Sequence, residues 1–259
     1  MNHLELFSGT HSFGKVSSLN GFNVYSLDRD LGAKCPFSNY ECKNHFKEDI
    51  MTWDYKQYPK GFFKIITASP VCLWWSRLRY TWVGRKLKGM DEPLTKEDID
   101  NDILILGIPM IDKVFEIIDY FNAEYFIIEN PATGRMKDYI NELIPFYDID
   151  YCKYSNWGYK KTTRFWTNIE GLEFNKCKND CENMVTFNNQ KIHKCRMGTS
   201  KTINDNGKIV RVNSAEKRKK YKDYENLQQT NKDIVKTTTR YERYRIPTKI
   251  IEIFFNKII

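Results

Sequence analysis

The feature that most constrains this chain is a series of short apolar runs, each stopped abruptly by a turn residue or an acid. Residues 3–7 (His-Leu-Glu-Leu-Phe) stop at Ser8-Gly9, and residues 22–27 stop at Asp28. Residues 62–68 stop at Ser69-Pro70, and residues 124–128 at Glu129-Asn130-Pro131. Such runs read as buried strands. Helical stretches lie between them. In the one before Glu129, Val114, Ile117, Ile118 and Phe121 recur on one helical face, and Pro109 starts or kinks that helix. Strands alternating with helices call for crossover connections, so a mostly parallel α/β sheet is expected. Ligands of such sheets lie beyond the carboxyl ends of the strands. Gly9, Asp28, Asp49, Pro70–Cys72 and Glu129–Asn130 all fall at those ends.

The pattern changes beyond Asn168. Residues 171–240 are rich in Asn, Lys and Thr and show little periodicity; order returns at Arg245-Ile246-Pro247 with an apolar helix from Ile250 to Ile258. The reading is therefore a core over residues 1–168, a reduced basic segment over 169–244, and a helix over 245–259 that returns to the core. Residues 171–245 hold 18 Lys and Arg against 9 Asp and Glu, or +9, which leaves −1 for the rest of a chain whose total is +8. A basic segment on a near-neutral body suits a polyanionic partner. Seven cysteines, an odd number, with no secretory leader before them point to a reduced, intracellular setting. No apolar run approaches the roughly 20 residues of a membrane span, so no membrane partner is expected.

The strand ends carry the chemistry. Gly9 permits a tight turn, and the helix after it offers free N–H groups to a carboxylate or phosphate. Asp28 ends the second strand, where an acid accepts hydrogen bonds from ribose hydroxyls. Cys72 follows a proline turn in Ser69-Pro70-Val71-Cys72, a position that exposes a thiol at the sheet edge. Glu129 ends an apolar strand, where burial favours the protonated carboxyl. A nucleophilic thiol and a proton-donating carboxyl together can activate a pyrimidine ring. After Cys72, Trp74, Trp75, Tyr80 and Trp82 mix with Arg77, Arg79, Arg85 and Lys86, a combination able to stack on bases and meet phosphates. This stretch is read as a mobile loop that closes over a base.

In order along the chain, these motifs resemble the DNA (cytosine-5) methyltransferases, particularly a compact phage and virus branch. Leu4-Glu5-Leu6-Phe7-Ser8-Gly9-Thr10 is similar to their first cofactor motif, Asp49-Ile50 to the pair that contacts adenine, and Ser69–Cys72 to their Pro-Pro-Cys loop. Glu129-Asn130 is similar to the Glu-Asn acid motif, residues 156–164 to the arginine-bearing strand, and Arg245-Ile246-Pro247 to the last motif. The resemblance implies a Rossmann-like methyltransferase fold that uses S-adenosylmethionine. It implies a catalytic set of Cys72, Glu129 and Arg164. It places the cofactor on Phe7, Ser8, Gly9, Thr10, His11, Ser12, Asp28, Arg29, Asp49, Ile50 and Pro70, and DNA on Ser76, Arg77, Arg79, Trp82, Lys217 and Arg218. The chain departs from the family at Val71, which replaces the second proline, and Arg164 alone remains clear from the Gln-x-Arg-x-Arg pattern. A large target-recognition domain is absent or reduced to residues 171–240. The resemblance further implies DNA as partner, a cognate restriction endonuclease beside it, a monomer, and residence in a bacterial cytoplasm or in a host nucleus or viral factory. Two alternatives stay open: a DNA-binding relative without turnover, and a methyltransferase acting on tRNA cytosine.

Cys177-x3-Cys181 followed by His193-x-Cys195 supplies four candidate zinc ligands in a segment poor in apolar residues. Unrelated reduced cysteines explain the same spacing. Cys35 and Cys42 read as structural.

Overall fold

The computed structural model describes residues 1–187, 190–196, 201–205, 208–212, 236–237 and 240–259. Seven strands form the main sheet: β1 (Asn2–Leu6), β2 (Asn23–Leu27), β3 (Asn44–Phe46), β4 (Ile65–Ala68), β5 (Tyr125–Pro131), β6 (Phe146–Asp150) and β7 (Thr162–Thr167). Their order is β3-β2-β1-β4-β5-β7-β6. The first five in that order are parallel neighbours, and β7 runs antiparallel to β5. This is the Rossmann-like methyltransferase arrangement that the motifs imply.

The sequence explains the placement. All four residues of β4 are buried, as are four of the five in β1. Strands covered on both faces read as continuous apolar runs, and these two occupy the centre. The chain winds from β1 outward through β2 to β3, then crosses to β4 on the other side. The crevice for a ligand opens at that switch, between the ends of β1 and β4.

Helix α1 (Ser12–Leu19) follows the Gly9 turn, and α2 (Lys96–Asp102) is opened by a capping box between Thr95 and Asp98. A π-helical turn over Ile103–Gly107 leads into α3 (Ile108–Phe121), with Pro109 in its first turn. Ile111, Val114, Ile117, Ile118 and Phe121 are the buried face of α3, the stripe expected from sequence. β5 is longer than its apolar run. It continues through Glu129, Asn130 and Pro131, because β7 supplies an antiparallel partner as far as Pro131 opposite Thr163.

The chain divides into two compact units. One comprises Met1–Ile149, Thr162–Phe174 and Ile250–Ile259; the other comprises Asp150–Lys161 and Asn175–Lys249. The second thus takes in 150–161, which the sequence reading placed in the core. In the first unit, residues from Ile250 onward belong to the final helix. Ile250, Ile251, Phe254 and Phe255 are fully buried there, Phe255 edge-on to His3 and Phe22.

In the second unit, the described residues include two antiparallel hairpins, β8 (Met184–Phe187) with β9 (Gln190–His193) and β11 (Lys201–Asp205) with β12 (Lys208–Val212). β10 (Cys195–Arg196) pairs in parallel with β13 (Lys236–Thr237), and a short helix α4 covers Arg240–Tyr244. The last helix, α5 (Thr248–Ile258), begins in this unit. Weak periodicity hid these hairpins from sequence reading. Lys217 and Arg218 lie outside the described residues. Among the described residues no helix is long and apolar enough to cross a membrane.

Candidate active site

The turn after β1 is strained where a ligand would approach. Phe7, Gly9 and His11 all have positive φ, at 54°, 49° and 53°. Holding Phe7 and His11 there costs about 1–3 kcal/mol each, and such strain is characteristic of binding sites. Four contacts, buried or partly buried, hold the loop. The Gly9 N–H donates to Asp28 Oδ2 at 2.9 Å, tying the end of β1 to the end of β2. Glu5, buried in β1, accepts from the Phe13 N–H at the start of α1 (3.0 Å). His11, wholly buried, donates from Nε2 to the Gly32 carbonyl (2.9 Å) and sets Nδ1 3.4 Å from Glu5 Oε2. Burial opposes charge on His11, but the Glu5 carboxylate and the Gly32 carbonyl outweigh it and raise its pKa. Nε2 therefore braces the loop, and Nδ1 faces the Glu5 carboxylate. Thr10 is also turned inward, its hydroxyl 3.0 Å from that of Ser12. Ser8 is different: its Oγ is buried and has no protein partner.

Asp28 Oδ1 accepts from the N–H groups of Asp30 and Leu31 (2.9 and 2.8 Å). A carboxylate has about four acceptor sites, so these three bonds leave room for one more donor. Asp49 lies three residues beyond β3. It caps its own turn by accepting from the Met51 N–H (3.0 Å) and meets Arg29 Nη1 at 3.2 Å. Arg29 is exposed, so this pair is a weak tether. Ile50 is buried in the core.

A buried hydrogen bond ties the cysteine loop to the acid strand. Ala68 on β4 is level with Ile128 on β5, so Cys72 and Glu129 leave adjacent strand ends. Asn130 Nδ2 donates to the Pro70 carbonyl at 2.9 Å, two residues before Cys72. Beyond Cys72, Trp75 is completely buried against Tyr139, and its carbonyl accepts from the Arg135 N–H at 2.8 Å. Gly107 makes room for it: a Cβ there would sit 3.0 Å from the indole. The 71–83 stretch is therefore anchored at Trp75 rather than free along its length. Cys72 is half-buried and Glu129 is buried.

Two arginines stand apart from their expected roles. Arg79 is buried, bonded to Asp102 and lying over the Trp74 ring at 5.4 Å, so it braces the loop instead of meeting phosphate. Arg164 is opposite Asn130, and directly opposed residues share a sheet face, so it is on the face away from Glu129. Asp148 holds its guanidinium in a two-point bond (2.7 and 2.8 Å), and the Phe146 ring lies 3.6 Å beneath. Neither Asp102 nor Asp148 was foreseeable, because each partner lies on a different element. Arg77 is exposed, whereas Ser76 and Trp82 are half-buried. Arg77 shares a hollow with Tyr80, Lys96, Asp100 and Arg135. In the second unit, Cys177, Cys181 and His193 come together, but their fourth neighbour is Cys152 rather than Cys195. Cys195 packs instead against Gly158.

No family model matches the chain. It is similar to the "Probable DNA (cytosine-5)-methyltransferase" of Frog virus 3 (isolate Goorha), at 39% identity over 188 residues that cover 71% of this chain and 79% of the relative. Solved structures with some likeness include the Dnmt2 methyltransferase of S. pombe (14% identity, TM-score 0.41, 67% of this chain and 51% of the other). A Spodoptera frugiperda DNMT2 mutant is a second (15%, TM-score 0.38, 68% and 53%). The chain spans about half the length of these two structures. With the viral relative matched over most of its length, the chain belongs to the DNA (cytosine-5)-methyltransferase family.

Proposed function

We propose that this chain transfers a methyl group from S-adenosylmethionine to carbon 5 of cytosine in DNA, through a covalent adduct of Cys72 on a flipped base. The observation that supports this most is the hydrogen bond from Asn130 to Pro70. It binds the strand end bearing Glu129 to the loop bearing Cys72, at the carboxyl ends of β4 and β5, beside the crevice between β1 and β4.

The residues at that crevice suit the cofactor. The strained Phe7–His11 turn, the partnerless buried Ser8 hydroxyl and the remaining acceptor site of Asp28 form one polar edge. Asp28 would take the ribose, and Asp49 with Ile50 the adenine. Bound there, S-adenosylmethionine supplies an electrophilic methyl group on a sulfonium.

The protein's own residues do the rest. The Cys72 thiolate adds to C6 of the cytosine. Glu129 donates a proton to N3 as the ring takes up that electron pair, so C5 becomes enamine-like and nucleophilic. After methylation at C5, a base removes the C5 proton, the C6–S bond breaks, and the thiolate leaves as N3 returns its proton. Arg164, locked to Asp148, orients β7 in this reading rather than touching the reacting atoms.

The base must first leave the duplex, at a cost of a few kcal/mol. Val71, Leu73, Leu78 and Val83 on the cysteine loop are exposed apolar residues suited to fill the gap, and Arg77 and Lys96 line a hollow suited to phosphate.

Labelled methyl transfer to mixed-sequence DNA, with tRNA in parallel, tests the proposal. The expected result is 5-methylcytosine in DNA, absent with Cys72→Ala. Label in tRNA alone would move the substrate to RNA. Cofactor binding without label in either would identify a non-catalytic relative.

A further inference from the structure

Three thiols and one imidazole converge in the second unit, and none of them has a part in the proposed reaction. The sulfurs of Cys152, Cys177 and Cys181 and a ring nitrogen of His193 all lie within 4.8 Å of one another. His193 Nε2 is 3.7 Å from Cys177 Sγ and 3.4 Å from Cys181 Sγ. With Zn–S at about 2.3 Å and Zn–N at about 2.0–2.1 Å, a tetrahedral centre separates sulfur from nitrogen by about 3.5 Å. The separations of His193 from Cys177 and Cys181 match that spacing, and Cys152 Sγ lies within 4.8 Å of all three. We propose that Cys152, Cys177, Cys181 and His193 bind one structural Zn²⁺ ion.

The surroundings fit a metal better than four unrelated side chains. The turn between Cys177 and Cys181 passes through Asn179 at φ 63°, and the N–H groups of Asn179 and Asp180 point at the Cys177 sulfur. N–H donors on ligand sulfurs are the supporting shell that fixes such ligands. The Cys177 N–H donates to Asp150 Oδ2 at 2.9 Å. Buried Asn183 donates to the carbonyls of Cys152 (2.8 Å) and Ser155 (2.7 Å), fixing the turn that presents Cys152. Binding would release three thiol protons and leave a centre of net charge −1. Two cations stand close by: Lys160 Nζ is 3.3 Å from the Cys177 carbonyl, and Lys153 pairs with Asp180 at 3.0 Å. Three soft thiolates with one imidazole, and no fifth position needed, select zinc in a structural role.

The need is physical. Among the described residues, the second unit buries few large apolar side chains, chiefly Tyr151, Tyr159 and Ile246. So few buried apolar side chains among the described residues suit a staple. The ion would tie residues 150–161 to residues 175–193. This proposal is independent of methyl transfer.

The full chain, purified without chelator, should contain one zinc per molecule by elemental analysis. Exchanged with Co²⁺, it should show tetrahedral d–d bands and strong thiolate-to-cobalt charge transfer. Cys195→Ala should keep its metal, whereas Cys152→Ser should bind it at least about 10-fold more weakly. If Cys152→Ser does not fold, the wild-type cobalt spectrum and the Cys195→Ala metal content decide. A wild type that takes up neither Zn²⁺ nor Co²⁺, an octahedral cobalt spectrum, or loss of metal from Cys195→Ala would overturn the proposal.

Discussion

Replacing Asn130 with alanine tests how the nucleophile is positioned. The substitution removes the 2.9 Å bond to the Pro70 carbonyl and leaves that carbonyl in a buried place. An unsatisfied buried acceptor costs about 1–3 kcal/mol. At about 1.4 kcal/mol per factor of ten, the docked form of the cysteine loop loses at most about 5- to 150-fold in its equilibrium. A misplaced thiol also lowers the rate directly, since an error of about 1 Å can cost about 100-fold. Trp75 stays in place, because it is held separately by Tyr139 and Arg135. Single-turnover methyl transfer should therefore slow by about 10- to 100-fold, while urea unfolding shows a loss of no more than about 3 kcal/mol. Asn130→Asp, which keeps the shape but loses the donor, should behave alike. A full single-turnover rate in both variants would refute the claim that this bond positions Cys72.

Other outcomes follow from the same geometry. Gly107→Ala drives a Cβ to within 3.0 Å of Trp75 and should destabilise the fold by about 1–3 kcal/mol in urea titrations. His3 is fully buried, and burial lowers its pKa to about 3, so the unfolded chain takes up a proton that the folded chain refuses. The His3 share of stability should be fully present above about pH 6.5 and fall by up to about 5 kcal/mol as pH drops toward 3, an acid limb that His3→Leu should flatten. His11 has the opposite sign. Its raised pKa stabilises the fold below about pH 6.5, and that share is lost as pH rises through the folded value, so His11→Gln should remove the alkaline part of the pH–stability curve. Arg79→Ala breaks a buried pair and should cost about 3 kcal/mol of stability. Arg77→Ala should leave stability within about 0.5 kcal/mol and shallow the salt dependence of DNA binding by about one phosphate contact.

The parallel sheet was legible because each strand is a short apolar run with a sharp stop, and because α3 keeps one unbroken buried stripe. The turn after β1 and the placement of Asp28, Cys72 and Glu129 at or just past strand ends followed from that pattern. What escaped depends on contacts between distant residues. Arg79 and Arg164 read as free cations, since Asp102 and Asp148 reach them only through the fold. Nothing local shows that Glu5 and Gly32 enclose His11. Trp75 read as part of a mobile loop, and its burial depends on the space at Gly107. Cys152 lies 25 residues before Cys177 and outside any ligand spacing, so the apparent His193-x-Cys195 pair drew attention to the wrong fourth thiol. Of the site residues named from sequence, Lys217 and Arg218 lie outside the described residues.

The most direct test uses duplex DNA in which cytosines are replaced by 5-fluorocytosine. Fluorine at C5 cannot leave as a proton does, so an adduct formed through the thiol persists after methyl transfer. A denaturation-stable protein–DNA complex that needs S-adenosylmethionine, maps by peptide mass to Cys72 and is absent with Cys72→Ala is the predicted result. No complex despite methyl transfer to normal DNA, or one that forms equally well with Cys72→Ala, would contradict Cys72 as the nucleophile.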